Sequence, residues 1–217
     1  MKKCIILANG RPPEKAAVKF LYEKGYNYLI CADGGADAAL KLKLNPNVII
    51  GDFDSVLPDT IKRFMDSAEI IQIKRQSDTD VEKALKFAIK NGFEQAVLLG
   101  ATGDRLDHSF CNLGIVFKYF GKIEIILVSE QSVLTAHEKS VEINSFSGET
   151  ISFYGVAENT KVTTKGFKYK LADANIFFGG RESTSNITTG KKARLEIKGG
   201  KIILIRNFTA LKEHDLF

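Results

Sequence analysis

Apolar residues in the first part of the chain form short runs, and segments with helical spacing separate one run from the next. The runs KCIILA, YNYLICA, NVIIG, AEIIQI, QAVLLG and KIEIILVS are typical of buried strands. Between them, helices are predicted for PEKAAVKFLYEKG, GADAALKL, PDTIKRFM, DTDVEKALKFAIKNG and DHSFCNLGIVFKYFG. Strands that alternate with helices predict a mostly parallel sheet with helices on both faces.

The pattern changes near residue 131. Short alternating segments follow, namely SVEIN, ETISFYGV, TKVTTKG, KARLEIK and KIILIRNF, and they predict strands without a helix among them. The stretch RLEIKGGKIILI predicts a hairpin that turns at Gly199 and Gly200. We therefore predict two domains, an α/β domain at 1–130 and an all-β sandwich at 131–217.

The composition narrows the class of protein. The chain has 217 residues, of which 44% are hydrophobic and 26% charged, as in ordinary soluble globular proteins. No apolar run approaches the roughly 18 residues of a membrane span, so we expect no membrane partner. The start, MKKCIILANG, predicts a first strand rather than a signal peptide. Cys4, Cys31 and Cys111 are widely spaced in apolar surroundings, which favours buried thiols in a cytoplasmic protein over a disulfide framework.

The net charge of +5 lies mostly in the second part of the chain. Residues 1–130 carry 18 Lys and Arg against 17 Asp and Glu, whereas residues 131–217 carry 13 against 9. A basic surface favours anionic ligands such as nucleotides or nucleic acid, and it also serves solubility alone. Neither an RNA-binding pattern of interleaved aromatics nor a helix-turn-helix pattern is present, so we expect no nucleic-acid partner.

Candidate chemistry gathers after four predicted strands. In an open parallel sheet, ligands bind beyond the carboxyl ends of the strands. Glycines there allow a ligand to approach the backbone, the N–H groups of a helix start bind phosphate, and arginine adds a cation. We predict that these positions contact the phosphate groups of a ligand: Asp33, Gly34, Gly35, Gln76, Thr102, Gly103, Arg105, His108 and Asn112.

The aspartates at the same edge predict a magnesium site. Like charges repel at short range, and Mg²⁺ removes that conflict because it takes oxygen ligands and bridges carboxylates to phosphates. Asp52 and Asp54 point the same way on an extended chain. Acids also favour the first turn of a helix, so helix capping is an alternative interpretation for Asp78 and Asp80.

Two further side chains have alternative interpretations. His108 is either a ligand contact, a partner for Asp107, or a core histidine. Asn112 lies one helical turn beyond His108 on the same face, where it either contacts a ligand or forms a local hydrogen bond.

The segments ADGGA, GDFDS, TDVEKAL, GATGDRLDH and ESTSN occur in an order that resembles the thiamine pyrophosphokinase family over nearly the whole chain. The resemblance implies an α/β nucleotide-binding catalytic domain, a β-sandwich thiamine-binding domain and a homodimer. It implies that diphosphate is transferred from ATP to the hydroxyl of thiamine, giving thiamine diphosphate and AMP. By the same resemblance, magnesium is bound by Asp52, Asp54 and Asp80.

The resemblance also implies a thiamine site between the α/β domain of one subunit and the β domain of its partner, lined by Ser185 and Asn186. Family members often stack an aromatic ring on thiamine, and this chain has no Trp, so a Phe or Tyr is expected there. The chain departs from the family's DQDSTD-like segment, because Arg75, Ser77 and Asp78 replace two aspartates and a serine.

The expected chemistry depends on alignment and charge neutralisation, since a weakly nucleophilic hydroxyl attacks a crowded, negatively charged phosphorus. Asp54 or Asp107 would accept the hydroxyl proton. Asp107 is preferred because metal-bound carboxylates are poor bases. The predicted catalytic residues are therefore Asp52, Asp54, Asp80 and Asp107.

Two alternative functions remain at this point. DFDSV resembles the nucleophile motif of haloacid-dehalogenase-type phosphatases, with Asp52 as nucleophile and Asp54 as acid. Against this, the motif follows the third strand-like segment, and Ser55 shifts Val56 one residue out of register. The other alternative is a protein that binds a nucleotide or thiamine without catalysis.

Overall fold

The computed structural model describes residues 1–75, 77–103 and 105–217, and its contacts divide these into two compact units, Met1–Glu130 and Gln131–Phe217. The first unit alternates strands and helices as the sequence predicts. Its elements are β1 (Lys3–Leu7), α1 (Lys15–Glu23), β2 (Leu29–Ala32), α2 (Gly35–Leu42), β3 (Val48–Gly51), α3 (Pro58–Phe64), β4 (Glu69–Gln72), α4 (Asp80–Lys90), β5 (Gln95–Leu99), α5 (Leu106–Lys118) and β6 (Glu124–Val128).

The six strands of the first unit pair in parallel in the order β6-β5-β1-β2-β3-β4. The chain adds β2, β3 and β4 on one side of β1, and then β5 and β6 on the other. The direction of winding therefore reverses between β1 and β5. In sheets of this kind, the crevice beyond the carboxyl ends at such a reversal is the usual ligand site.

The central strands of this sheet are buried on both faces, as their continuous apolar runs predict. Ile6, Ile30, Ile49 and Leu98 are each at most 1% exposed. Full burial of one such side chain contributes about 1.5–3 kcal/mol of hydrophobic free energy. The strand ends that carry the polar loops are therefore anchored in a rigid core.

The second unit is an antiparallel β-sandwich. Its strands are β7 (Ser132–His137), β8 (Val141–Asn144), β9 (Thr150–Gly155), β10 (Lys161–Lys165), β11 (Ala174–Asn175), β12 (Ser183–Ile187), β13 (Lys192–Lys198) and β14 (Ile202–Asn207). They pair in the orders β12-β9-β14-β7 and β11-β10-β13-β8. The core includes Phe153, Phe167 and Leu195. The predicted fold class, an α/β domain followed by a β-sandwich, is confirmed.

The prediction of no helix after residue 131 is wrong, since α6 (Phe208–Glu213) follows β14. The side chain of Asn207 caps this helix by accepting a hydrogen bond from the Ala210 N–H at 2.8 Å. Phe208 and Leu211, three residues apart, are its buried residues. So short a helix leaves a weak periodic signal, and the cap residue was the available clue.

The predicted hairpin at Gly199 and Gly200 is also wrong. β13 pairs with β10 and β8, whereas β14 pairs with β7 and β9, so the two strands lie in different sheets. Gly199 has φ 72°, and a Cβ there would lie 2.5 Å from the Asn159 carbonyl oxygen. The glycines thus allow a close crossing from one sheet to the other, which has the same sequence pattern as a turn.

Among the described residues, every helix is too short or too polar to cross a membrane.

Candidate active site

A cleft of about 250 Å³ lies at the reversal point between β1 and β5. It is lined by the loops after β1, β2 and β5 and by the first turns of α4 and α5. The residues that matter here include Asn9, Asp33, Asp80, Thr102, Arg105 and His108. The position predicted from the strand ends is therefore a cavity in the structure.

Two glycines let the loops of this cleft pack backbone against backbone. A Cβ at Gly35 would lie 2.0 Å from the Leu7 carbonyl oxygen. Gly100 has φ 62°, and a Cβ there would lie 2.5 Å from the Ala8 carbonyl oxygen. Any side chain at these positions would force the strand ends apart, so the loop composition shapes the cleft.

Three carboxylates converge beside the cleft. One oxygen each of Asp33, Asp52 and Asp80 lies within 4.8 Å of the other two. Asp33 follows β2, Asp52 follows β3, and Asp80 begins α4. Asp33 has φ 45° and Phe53 has φ 67°, a conformation that L residues rarely adopt and that costs about 1–3 kcal/mol per residue. Such strain is found at functional sites, where the surrounding structure holds it in place.

Asp33 is the most buried of the three, with 2% of its surface exposed. Its Oδ2 accepts a hydrogen bond from the Ser55 N–H at 3.1 Å, while its Oδ1 is buried and has no hydrogen-bond partner among the described residues. Burial, and then the charge of Asp80, raise the pKa of Asp33 against the opposing hydrogen bond from Ser55. A buried oxygen without a donor, beside two other carboxylates, fits a divalent cation that takes oxygen ligands.

A buried lysine contacts the same cluster. The Lys83 Nζ lies 2.8 Å from Asp80 Oδ1 and 3.4 Å from Asp52 Oδ2, and its side chain is 1% exposed. Burial alone would lower the pKa of Lys83, but Asp80 and then Asp52 outweigh this and raise it. Sequence analysis missed Lys83, although it stands three residues after Asp80 and so on the same helical face.

The start of α4 is fixed by a capping box. The Thr79 side chain accepts a hydrogen bond from the Glu82 N–H, and the Glu82 side chain accepts one from the Thr79 N–H. The cap is therefore Thr79 and not Asp78. The carboxylate of Asp78 instead accepts hydrogen bonds from Lys86 and Arg75.

Asp54 stands apart from the three clustered carboxylates. It is exposed, and its Oδ1 accepts a hydrogen bond from the Ser55 hydroxyl at 2.9 Å. Asp33, which sequence analysis assigned to phosphate, lies in the cluster instead. This placement depends on tertiary contacts, since β2 pairs with β3 and a Cβ on Gly51 would lie 2.8 Å from Asp33 Cβ. The metal role of Asp54 stays a prediction.

The start of α5 brings Arg105 and Asp107 together on the surface. The guanidinium of Arg105 donates hydrogen bonds to both carboxylate oxygens of Asp107, at 3.2 and 2.6 Å. These bonds lower the pKa of Asp107 to about 2. Both oxygens of this carboxylate accept hydrogen bonds from Arg105, and its role as general base stays a prediction.

The remaining predicted phosphate contacts differ in accessibility. His108 is exposed and lines the cleft, while Asn112 is buried and donates to the Ala101 carbonyl oxygen at 2.7 Å. Thr102 accepts the Arg11 N–H at 3.0 Å through its carbonyl oxygen. The Gly103 N–H donates to the Ser109 hydroxyl at 3.3 Å. Gly34 packs against Asn9, and Gln76 lies outside the described residues.

The three cysteines are free, and one departs from the prediction of buried thiols. Cys4 and Cys31 are buried in strands, but Cys111 is exposed and lines the cleft. The prediction relied on apolar neighbours in the sequence, but Cys111 lies on the exposed side of α5.

The second unit holds Ser185 and Asn186 at a β-bulge in β12. Ser185 is exposed and has φ 55°. Asn186 is buried, and its side chain accepts from the Tyr169 N–H at 3.1 Å and donates to the Tyr169 carbonyl oxygen at 2.9 Å. Asn186 therefore fixes the backbone of Tyr169, a residue that is itself 56% exposed.

The α/β cleft with its converging carboxylates, followed by a β-sandwich, defines a class of two-domain enzymes that act on phosphate groups. Residues 21–127 match the family model for the thiamin pyrophosphokinase catalytic domain, and residues 137–202 match that for its vitamin B1 binding domain. The chain belongs to the thiamine pyrophosphokinase family. This confirms the resemblance and the kinase-type function, and neither alternative function is favoured.

Similar proteins support this assignment along most of the chain. Thiamine pyrophosphokinase 1 of Oryza sativa subsp. japonica is 27% identical over 221 residues, which cover 88% of this chain and 82% of that protein. The solved thiamine pyrophosphokinase of Bacillus subtilis has a TM-score of 0.81 at 25% identity, covering 95% of this chain and 99% of that one. That of Geobacillus thermodenitrificans has a TM-score of 0.80 at 27% identity, covering 95% and 97%.

Proposed function

We propose that this protein transfers the diphosphate group of ATP to the hydroxyl of thiamine, giving thiamine diphosphate and AMP. The observation that carries the proposal is the convergence of Asp33, Asp52 and Asp80 beside the cleft, within the part of the chain that matches the catalytic family model. The thiamine oxygen attacks the β-phosphorus, the bond between that phosphorus and the α,β-bridging oxygen breaks, and AMP leaves.

Asp33, Asp52 and Asp80 would hold Mg²⁺. Their oxygens are the ligand type that this ion prefers, and Asp33 Oδ1 is a buried acceptor without a donor among the described residues. When bound, the ion neutralises charge on the phosphates and on the leaving AMP. The three aspartates thus serve to bind and orient, in positions that the strand ends fix before substrate arrives.

Asp54 accepts the proton of the thiamine hydroxyl in this proposal. It is exposed, lies two residues from Asp52 and is outside the three-carboxylate cluster. Asp107 is less suited, because its hydrogen bonds to Arg105 leave it with a pKa of about 2. Asp107 instead holds Arg105 at the cleft, where the guanidinium can bind phosphate oxygens.

Thiamine binds on the second unit, at Tyr169 and Ser185. The thiazolium ring carries a positive charge, which the face of an aromatic ring attracts. Tyr169 is exposed, with the Lys168 ammonium group 5.5 Å from the centroid of its ring, and Asn186 fixes its backbone. By the family resemblance, this surface meets the α/β unit of a partner subunit in a homodimer, so each reaction needs two chains.

The direct test mixes the protein with ATP, Mg²⁺ and thiamine and measures AMP and thiamine diphosphate. AMP that appears only when thiamine is present supports the proposal, and the Asp52→Asn variant serves as the inactive control. Orthophosphate released from phosphomonoesters would support the phosphatase instead. Binding of ATP or thiamine without any turnover would support a binding protein.

A further inference from the structure

The ammonium group of Lys83 lies inside the acidic cluster. It contacts Asp80 at 2.8 Å and Asp52 at 3.4 Å, and its side chain is 1% exposed. Burying an ammonium group is costly unless charged partners compensate. This desolvation cost indicates that the positive charge of Lys83 has a specific role beside Asp52 and Asp80.

The formal charges of the cluster suggest what that task is. When all three carboxylates are ionised, Lys83 leaves two net negative charges, which one divalent cation would balance. Without Lys83, the three carboxylates would lie within 4.8 Å of one another, and the ammonium group that contacts Asp52 and Asp80 would be gone. Their repulsion would drive Asp52 and Asp80 apart.

A second lysine on α4 shows that helix position alone does not produce this arrangement. Lys86 pairs with Asp78, outside the cluster, and its side chain is 45% exposed. Both lysines lie on α4 and each forms an ion pair with aspartate, but they differ in burial and in the carboxylates that they contact. Lys86 is therefore a matched control.

We infer that Lys83 is a positioning residue: a tethered counter-cation that holds Asp52 and Asp80 together in the metal-free protein and sets the cluster to accept a single divalent ion. The inference rests on the proposed function of this site. Lys83 needs no contact with either substrate, and it acts only through the two aspartates.

The test compares thermal unfolding of Lys83→Met in EDTA and in saturating Mg²⁺, without nucleotide. In EDTA the unfolding temperature should fall by about 10 °C relative to the wild-type protein, because the carboxylates lose their cation. In Mg²⁺ more than half of this loss should be regained, since the ion takes over the role of the ammonium group. Lys86→Met should lose little, and equally in both conditions.

A calorimetric titration gives a second readout. In the absence of nucleotide, the Lys83→Met variant should bind Mg²⁺ about ten times more tightly than the wild-type protein. The reason is that the Lys83 ammonium group no longer competes with the ion for the carboxylates. A merely structural lysine predicts the same stability loss with and without Mg²⁺ and no gain in Mg²⁺ affinity. That result would overturn the inference.

A double variant keeps the test decisive where Lys83→Met fails to fold in EDTA. Lys83→Met with Asp80→Asn restores two net negative charges, so it should be more stable in EDTA than Lys83→Met alone; equal or lower stability contradicts the inference. Failure of the proposed function is recognised separately. It is indicated if Mg²⁺ with a non-hydrolysable ATP analogue leaves the unfolding temperature of the wild-type protein unchanged.

Discussion

Asp33 combines features that rarely occur together in one carboxylate. It is buried and has a positive φ, and one of its oxygens lacks a hydrogen-bond donor among the described residues. Each feature costs free energy of folding, and favourable interactions in the rest of the fold offset that cost. Asp52 and Asp80 share its cluster, while Asp54 and Asp107 lie at exposed positions with different neighbours. The residues therefore divide into those that would bind metal and those that would act at the surface of the cleft.

Replacing single aspartates should separate these roles. Asp52→Asn should lower kcat/KM by about 10³-fold or more, since it removes a metal ligand. Asp54→Asn should lower kcat by about 10²–10³-fold, because it removes the proton acceptor. Asp107→Asn should cost at most about fivefold, the value of an exposed ion pair. Steady-state rates of AMP formation check all three, and a larger loss for Asp107→Asn than for Asp54→Asn would reverse the assignment of the base.

Tyr169 offers a test of the thiamine surface. Tyr169→Ala should raise the KM for thiamine about tenfold and leave the KM for ATP unchanged, because the cation–π contact is lost. Tyr169→Phe keeps the ring and is the matched control, with a KM close to that of the wild-type enzyme. Equal thiamine KM values for the wild type and Tyr169→Ala would show that thiamine binds elsewhere.

His137 gives a pH dependence of stability with a definite sign. Burial lowers the pKa of His137 below its ordinary value near 6.5, and its Nε2 lies 2.9 Å from the Thr135 hydroxyl. At a pH between the two pKa values, His137 is therefore protonated in the unfolded chain and neutral in the folded chain. Stability is full above about pH 6.5 and falls as the pH drops from there through the folded pKa. Urea unfolding from pH 8 to 5 should show this slope, and His137→Asn should reduce it.

The helices and strands of the first unit could be predicted from the sequence, because each apolar run or helical pattern there fits only one type of secondary structure. The strand ends, and hence the edge where the site lies, could be predicted for the same reason. Side-chain directions could not. Whether Asp33 or Asp54 joins Asp52 depends on a positive φ at Asp33 and Phe53, which no apolar pattern encodes. Lys83 was missed because its burial depends on contacts across the unit.

Two elements of the second unit resisted prediction for related reasons. The glycine pair at 199–200 has the composition of a hairpin turn, yet β13 and β14 pair with strands in different sheets. Only tertiary contacts, such as the approach of Gly199 to Asn159, distinguish the two cases. Helix α6 spans six residues, too few for periodicity to show.

The capping box at the start of α4 should matter for catalysis as well as for stability. Thr79→Ala should lower the free energy of unfolding by about 1 kcal/mol and raise the Mg²⁺ concentration for half-maximal rate, since Asp80 begins the helix that Thr79 caps. Asn207→Ala, at the cap of α6 in the second unit, should cost a similar amount and leave the Mg²⁺ dependence unchanged. If both variants show the same Mg²⁺ dependence of the rate, the cap at Thr79 does not influence the metal site.

For the whole molecule, the two units carry different parts of the proposed reaction, phosphate chemistry in Met1–Glu130 and thiamine binding in Gln131–Phe217. The family resemblance implies that a complete site combines units from two chains. An enzyme built this way can be repaired by mixing two defective chains, whereas a site within one chain cannot.

Mixing Asp52→Asn with Tyr169→Ala tests this arrangement. After denaturation and joint refolding, half of the dimers should be mixed, and each should contain one intact site, so about a quarter of wild-type activity returns at low thiamine concentration. Each variant refolded alone is the control. If the mixture shows only the average of the two separate activities, the site lies within a single chain.

The central claim is that Asp33, Asp52 and Asp80 hold a divalent ion together with the nucleotide. Electron paramagnetic resonance of Mn²⁺ with an α,β-methylene analogue of ATP measures this directly. The wild-type protein and Asp54→Asn should each bind Mn²⁺ with the analogue, and Asp33→Asn should lose most of that binding. Unchanged Mn²⁺ binding in Asp33→Asn, with loss in Asp54→Asn, would contradict the account.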